Sequence, residues 1–432
     1  MDNGSQRRIS RKSTLAMLLG VAGFYGLAAL GVQAAISSFV PLQPAHASDP
    51  TPARVSMDGL PVEALRAPSK IDYQRVDQRL ARLAEKPDMV GLAVAIIENG
   101  EIAFVKGYGV TAAGTTDPVG VRTVFRWASL SKGLAATVVG ELAAEKRLSL
   151  SDPVSRYAPS LHLPGGSEGR VTLDDLLAHR VGLVHNAYDD RLEAGQDPRQ
   201  IRAALGSLAA FCAPGACHGY QNVAFDAASE TVEAVTGEPY AQVVREKLFA
   251  PLGMADASVT RDGLMSAPSW ARPHVGRTTM KVDEAYYRVP AAGGVNSSIF
   301  DLALWMRAQM GLATSVLPQA VLDEIHRPRV ATDRRNGDFS RAMGQSHYAL
   351  GWRDYDYAGH RLIGHQGAVQ GYRSTILFDP VTRSGVAVLW NSQSNRPSAF
   401  QLEILEMLYG QERHDWLKLD ENRASGARIA AR

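Results

Sequence analysis

Cysteine is nearly absent: two in 432 residues, too few for a disulfide scaffold. Net charge is nearly absent as well, since 46 Lys and Arg against 44 Asp and Glu leave a formal +2. No basic stripe runs along the sequence, so a nucleic-acid partner would find no electrostatic footprint. Internal repeats are missing, which excludes solenoids and propellers. A His-Glu-x-x-His helix is missing too, and with it the commonest zinc-hydrolase motif. What remains is ordinary globular composition, 45% hydrophobic and 21% charged, which rules out disordered, collagen-like and multi-span membrane chains. At about 150 residues per domain the length suits roughly two to three domains or one composite one. Such a chain buries a core without metal or disulfide staples.

The N-terminus has the layout of a targeting segment. Arg7, Arg8, Arg11 and Lys12 precede an uncharged apolar run from Thr14 to Val32, and Ala45-His46-Ala47 offers a small-x-small site before Ser48. Val32-Gln33-Ala34 offers an earlier one. The run exceeds the usual h-region of about 7–15 residues, so a retained anchor competes with a cleaved signal. Arg7-Arg8 makes only a weak twin-arginine signal. Either way, positive-inside orientation carries the rest of the chain out of the cytoplasm. The expected organisation is residues 1–47 as signal peptide or N-terminal membrane anchor and 48–69 as a linker. Residues 70–410 form the folded domain, and 411–432 a polar tail. Residues 14–32 would be the tether, and the destination periplasmic or extracellular, anchored to the inner membrane if the helix is kept.

Within the folded part, Gly91–Ile97 reads as a continuous apolar strand, Asn99-Gly100 as a two-residue hairpin turn, and Ile102–Tyr108 as the returning strand. Leu130–Glu145 has apolar residues at helical spacing and reads as a buried helix. Leu173–His179, Val223–Thr236 (capped by Gly237) and Tyr240–Leu248 read as further helices. Leu362–Gly364, Arg373–Phe378 and Gly385–Trp390 read as strands, and Phe400–Leu408 as a closing helix. Strands at both ends with helices between them imply an α/β (α+β) fold: one antiparallel sheet built from both termini, flanked by helices, plus an all-helical region. The seam between the two is a favoured place for a cleft.

Three short motifs carry candidate chemistry: Ser129-Leu130-Ser131-Lys132, Tyr220-Gln221-Asn222 and His365-Gln366-Gly367. Ser129 follows the β-like Val124–Trp127 and opens the most apolar helix, whose N-terminus stabilises negative charge. A spacing of three puts Lys132 on the same helical face, and a desolvated lysine can activate a hydroxyl. Taken alone, Ser129 reads as an ordinary N-cap and Lys132 as a solvated side chain. A tyrosine such as Tyr220 near a lysine can relay protons, whereas Asn222 sits where an N-cap would be. His365 lies between strand segments, and Gly367 after it would permit close backbone approach to a ligand. A second such pattern, His274-Val275-Gly276, lies in a Pro-flanked loop stretch with no strand after it and is rejected. Gly165-Gly166-Ser167-Glu168-Gly169 fits the nucleophile-elbow pattern but lacks its strand and helix, which makes Ser167 a surface turn. Cys212 and Cys217 flank a turn-like tetrapeptide and would bridge in an oxidising compartment, adding about 2 kcal/mol. Such a bridge would position the loop bearing Tyr220. A metal site there, with His218 as third ligand, lacks a fourth.

In this order the motifs resemble the serine β-lactamase and penicillin-binding protein superfamily, in the branch of class C β-lactamases, DD-peptidases and related esterases. Phe125–Ala128, Leu148–Val154, Leu176-Leu177-Ala178-His179-Arg180-Val181-Gly182-Leu183, Phe249–Met254, Gly293–Ser298 and Leu350-Gly351-Trp352 extend the similarity across about Lys70 to Gly410. Val181 departs from the family's usual serine. The resemblance implies the β-lactamase/transpeptidase-like fold and no cofactor or metal. It implies Ser129 as acylated nucleophile, Lys132 and Tyr220 as proton carriers, and Asn222 as substrate-amide ligand. The backbone N–H groups of Ser129 and Ala368 would form the oxyanion hole, with His365 and Gly367 at the substrate. No Ser-Asp-Asn motif and no placed glutamate support the class A route. Histidine replaces the lysine usual in class C enzymes. Unperturbed imidazole, with a pKa near ~6.5, is mostly neutral at pH 7, which disfavours β-lactams against peptide or ester substrates. Arg373 is a candidate carboxylate ligand, with an exposed strand arginine as the plainer reading. The expected function is an exported serine hydrolase of D-alanyl-D-alanine carboxypeptidase or peptidase type, or a β-lactamase. The alternatives are a carboxylesterase and a non-catalytic penicillin-binding or cell-wall-sensing module. The implied partner is a β-lactam, D-Ala-D-Ala peptide or ester.

Overall fold

The computed structural model describes residues 69–333 and 337–420; the stretch expected to be a targeting segment with its 14–32 tether, and most of the expected linker, lie outside them. An eight-stranded, fully antiparallel sheet organises the rest. Its strands are β1 (Gly91–Glu98), β2 (Glu101–Gly109), β3 (Val330–Ala331) and β4 (Ser346–Tyr348). β5 (Arg353–Tyr357), β6 (His360–Val369), β7 (Tyr372–Asp379) and β8 (Ser384–Trp390) complete it. The spatial order is β2-β1-β8-β7-β6-β5-β4-β3, so the N-terminal hairpin is sealed against the C-terminal strand β8. Asn99 and Gly100 both take positive φ (54° and 87°), the left-handed pair that a two-residue hairpin turn needs.

β1 is buried along its whole length because both sheet faces are covered. Ala93, Ala95 and Ile97 face a large cluster shared with the helical region. Leu92, Val94 and Ile96 face a smaller cluster formed with α1 (Tyr73–Ala84) and α5 (Arg396–Tyr409). Period-two alternation assigns the side chains to those two faces. α1 is not among the expected helices, although Val76, Leu80 and Leu83 give it a buried stripe and Asp72 caps it by accepting from the Arg75 N–H. Its Arg79 is buried and ion-paired with Glu403 of α5 and with Asp415. Inside the stretch expected to be a tail, residues 411–420 thus lie on the domain, with Leu417 and Leu419 buried.

The central helix α2 (Ser131–Ala144) is buried from Ser131 to Leu142, which explains its apolar composition all round. α3 (Ala227–Thr236) packs against it, while α4 (Ile299–Gln309) packs on β1 and β8. α3 begins four residues later than expected: Val223-Ala224-Phe225 is apolar because it is buried in a turn, and Asn222 is therefore not its N-cap. His365 lies inside β6 rather than between strand segments. His274-Val275 pairs with Thr278-Thr279 as a small hairpin, so a strand does follow it. Ser167 is in a 3-10 turn as expected, but buried rather than at the surface.

His326 is buried beneath the sheet, its Nε2 2.8 Å from Gln309 Oε1 and its ring edge-on to Trp352. Burial, then the nearby Arg361 charge, hold its pKa down to about 3. The unfolded chain binds this proton near pH ~6.5, so below that pH the native state loses stability for keeping His326 neutral. His326→Gln should be destabilised at pH 8. That deficit should shrink by about 1.4 kcal/mol per unit as pH falls from ~6.5 toward 4, read by urea unfolding of both proteins. A deficit independent of pH would contradict the assignment.

Candidate active site

Ser129 lies in a 3-10 turn, Ala128–Leu130, that runs straight into α2. The turn is tightly held. Ala128 takes φ 50°, a left-handed value unusual for alanine, and the Ser131 hydroxyl donates to Ala128 O (2.7 Å) while accepting from Val295 N–H (3.0 Å). Below it the Ser374 hydroxyl of β7 donates to Trp127 O at 2.5 Å. A side chain at Gly367 would come within 2.2 Å of both Trp127 O and Ser374 Oγ and 3.1 Å from Ser129 N. Glycine is needed there because β6 runs against the turn itself.

Lys132 is fully buried, one turn along the helix from Ser129. Its Nζ is 3.4 Å from Ser129 Oγ, 2.7 Å from Asn222 Oδ1 and 2.9 Å from Ala292 O, three acceptors for three N–H donors. The rings of Tyr220 and Phe225 stand 4.7 and 5.5 Å from the same nitrogen. Asn222 continues the chain by donating Nδ2–H to Asp189 Oδ2 at 2.6 Å. Burial raises the Asp189 pKa, opposed by that hydrogen bond and by the charge of Lys132.

The loop carrying Tyr220 is tied to the segment after Leu173–Leu177. Phe211, Gly215 and Gly219 donate backbone N–H groups to Gly182, Arg180 and His179, and Asn186 N–H donates to Tyr220 O. Cys212 and Cys217 form a disulfide within it. A side chain on Gly182 (φ 84°) would meet Cys212 O at 2.6 Å, so the two segments lie backbone to backbone.

A cavity of about 330 Å³ opens over these groups, lined by Ser129, Tyr220 and Asn222 on one side and His365, Gly367 and Ala368 on the other. Six of the seven non-cysteine site candidates thus line one cleft, and the seventh, Lys132, lies buried behind Ser129 and Asn222, while Ser167 and His274 line no part of it. His365 Nδ1 is 2.8 Å from Gln366 O and its Nε2 3.0 Å from the Tyr348 hydroxyl. That hydroxyl is 3.1 Å from His179 Nε2, and His179 Nδ1 accepts from Gln221 N–H at 3.1 Å.

Two basic side chains also reach the cavity. Arg373 is half-buried rather than exposed, and donates Nη1–H to Val369 O and Tyr372 O. Arg353 is 7% exposed, stacked 5.2 Å from the Tyr348 ring, and no carboxylate among the described residues ion-pairs with it. Arg353, Tyr348 and Asp189 were missed as site residues. The first two flank the Leu350-Gly351-Trp352 motif, which was their available signal; Asp189 had none. No group of His, Cys, Asp and Glu suited to a metal occurs among the described residues, and no helix among them is long and apolar enough to cross a membrane.

Residues 76–411 match the β-lactamase family model. The chain belongs to the β-lactamase family. This is a family of serine hydrolases. The chain is 25% identical over 352 residues to the unguisins hydrolase ungD of Aspergillus violaceofuscus, covering 74% of this chain and 61% of that protein. It therefore spans about three fifths of that relative's length. The octameric penicillin-binding protein homologue of Pyrococcus abyssi superposes with a TM-score of 0.71 at 24% identity, over 79% of this chain and 78% of the other. A D-stereospecific amidohydrolase from Streptomyces superposes with a TM-score of 0.59 at 22% identity, over 74% and 94%. These two share the β-lactamase/transpeptidase-like fold described above.

Gly367→Ala should force β6 away from the Ser129 turn. The expected result is a loss of covalent labelling by a fluorophosphonate of tenfold or more, while unfolding shows a native-like cooperative transition. Full labelling in the variant would show that strand contact with the turn does not matter.

Proposed function

We propose that this chain is an exported serine peptidase of the D-alanyl-D-alanine carboxypeptidase type, cleaving the peptide bond beside a C-terminal carboxylate. The observation that carries the proposal is Lys132 Nζ set between Ser129 Oγ and Asn222 Oδ1, against the Tyr220 ring. Ser129 Oγ attacks the scissile carbonyl as its proton passes to Lys132 and Tyr220. The Ser129 and Ala368 N–H groups meet the oxyanion, aided by the positive end of α2. Asn222 holds the substrate amide. The proton returns to the leaving amine, and a water then attacks the acyl-enzyme, regenerating the Ser129 hydroxyl and releasing a carboxylic acid.

Arg353 supports a substrate with a carboxylate. A buried guanidinium facing the cleft, with no carboxylate partner among the described residues, suits bidentate recognition of one. It takes this role in place of Arg373, whose Nη1 already serves two backbone carbonyls. The printed name of the Streptomyces neighbour supports D-configured amides as substrates. The disulfide supports an oxidising destination outside the cytoplasm. β-Lactams, which also carry a carboxylate, are expected to acylate Ser129 but to turn over slowly. A carboxylesterase remains the second reading, favoured by histidine in the third motif.

Nitrocefin, a D-Ala-D-Ala peptide and a p-nitrophenyl ester assayed in parallel test this. The peptide is expected to give the highest kcat/KM. Ser129→Ala should abolish every activity and Ser167→Ala should change none. Arg353→Met should raise KM for the free-acid peptide on the order of 10- to 100-fold, the scale of a charge-assisted hydrogen bond, and leave its C-terminal carboxamide unaffected. Nitrocefin as the preferred substrate would favour a β-lactamase, and no turnover or labelling at all a silent binding module.

A further inference from the structure

The hydrogen bonds behind the third motif have a direction. A backbone N–H can only donate, so Gln221 N–H fixes His179 Nδ1 as an acceptor. His179 is entirely buried, and burial, then the Lys132 charge, pushes its pKa down, in keeping with a neutral ring whose Nδ1 accepts from Gln221. Its one N–H is then on Nε2, aimed at the Tyr348 oxygen. His365 carries a hydrogen on Nδ1, where Gln366 O accepts it at 2.8 Å, and a neutral His365 then accepts the Tyr348 O–H on its Nε2 at 3.0 Å. Both ends of the chain are thus backbone groups that cannot reverse.

We propose that His179 and Tyr348 are positioning residues that lock His365 as the neutral Nδ1–H tautomer, so that the third motif offers the substrate an uncharged ring. A proton on His365 Nε2 would turn that acceptor into a donor and break the O–H···N bond from Tyr348. The titratable groups around the chain oppose the proton as well. His179 faces Lys132, His218 and Arg353, the Arg353 guanidinium lies over the Tyr348 ring, and the Tyr220 ring stands beside His179, Tyr348 and His365. His218 packs against Tyr348 from the disulfide loop. The carboxylate that lines the same cavity, Asp189, accepts a hydrogen bond from Asn222. The consequence for substrate rests on the proposed peptidase: the anion of the substrate is met by Arg353, and position 365 contacts an uncharged part of it.

The test is the ¹⁵N spectrum of the full chain labelled at histidine, with the His365 signals assigned by their loss in His365→Gln. His365 should show a protonated Nδ1 and a bare Nε2 that stay unchanged from about pH 8 to 5.5. In Tyr348→Phe the same ring should titrate with a midpoint near ~6.5 and mix tautomers. In that variant, kcat/KM should gain an ionisation at the same pH that the parent lacks, which a purely structural loss would not produce. An Nε2–H tautomer or an imidazolium in the parent at about pH 6 overturns the proposal even if Tyr348→Phe does not fold. An unchanged ring in a folded Tyr348→Phe overturns it too. The spectrum needs no substrate, so failure of the peptidase reading would show separately, as absent turnover with the locked tautomer intact.

Discussion

One buried lysine organises the cleft. Lys132 has left water entirely, and a charge or potential charge in such a place is tolerated only where its donors are matched. Here Ser129 Oγ, Asn222 Oδ1 and Ala292 O supply that match, each from a different part of the chain. Ser129 comes from the turn ahead of α2, Asn222 from the loop behind the disulfide, and Ala292 from a short helix before α4. Any displacement of one acceptor leaves a buried donor unmet, at a cost of about 1–3 kcal/mol. The lysine therefore enforces the geometry as well as using it.

The sheet contributes the opposing wall. Ser374 and Gly367 bring adjacent strands against the backbone of the nucleophile turn, one through a hydrogen bond and one by having no side chain. Gly133 and Gly351 do the same one layer deeper: a Cβ at Gly133 would strike Trp352 at 2.6 Å, and one at Gly351 would strike Lys132 O at 2.3 Å. The loop between β4 and β5 thus lies directly on the first turn of α2, and the strand ends it joins place Tyr348 against His365 and Arg353 at the cleft. Placement of charge follows. The site has a guanidinium at Arg353, the Lys132 amine behind Ser129, and a hydrogen-bonded imidazole at His365.

Much of this was legible in the sequence, for identifiable reasons. Ser129 and Lys132 are near neighbours in the chain, and their spacing alone fixes a shared helical face. The hairpin at Asn99-Gly100 and the strands around it are local features as well. Asn222 was harder. Its following residues, Val223-Ala224-Phe225, are apolar enough to pass for the first turn of a helix, and only the tertiary fold turns its side chain toward Lys132 and Asp189. The Tyr348–His365 contact was out of reach, because it depends on β4, β5 and β6 lying side by side. The helix α1 was readable from Val76, Leu80 and Leu83 but was passed over beside a linker; its charged face is now seen to include Arg79, buried against the C-terminal helix.

The central claim is that the Ser129 hydroxyl, held by Lys132, is the atom that becomes acylated. Mass spectrometry of the protein after brief exposure to benzylpenicillin tests it most directly. The account predicts a single adduct, equal in mass to the intact drug, on the peptide containing Ser129. An adduct mapped to any other residue, or turnover of substrate with Ser129 never modified, would contradict it.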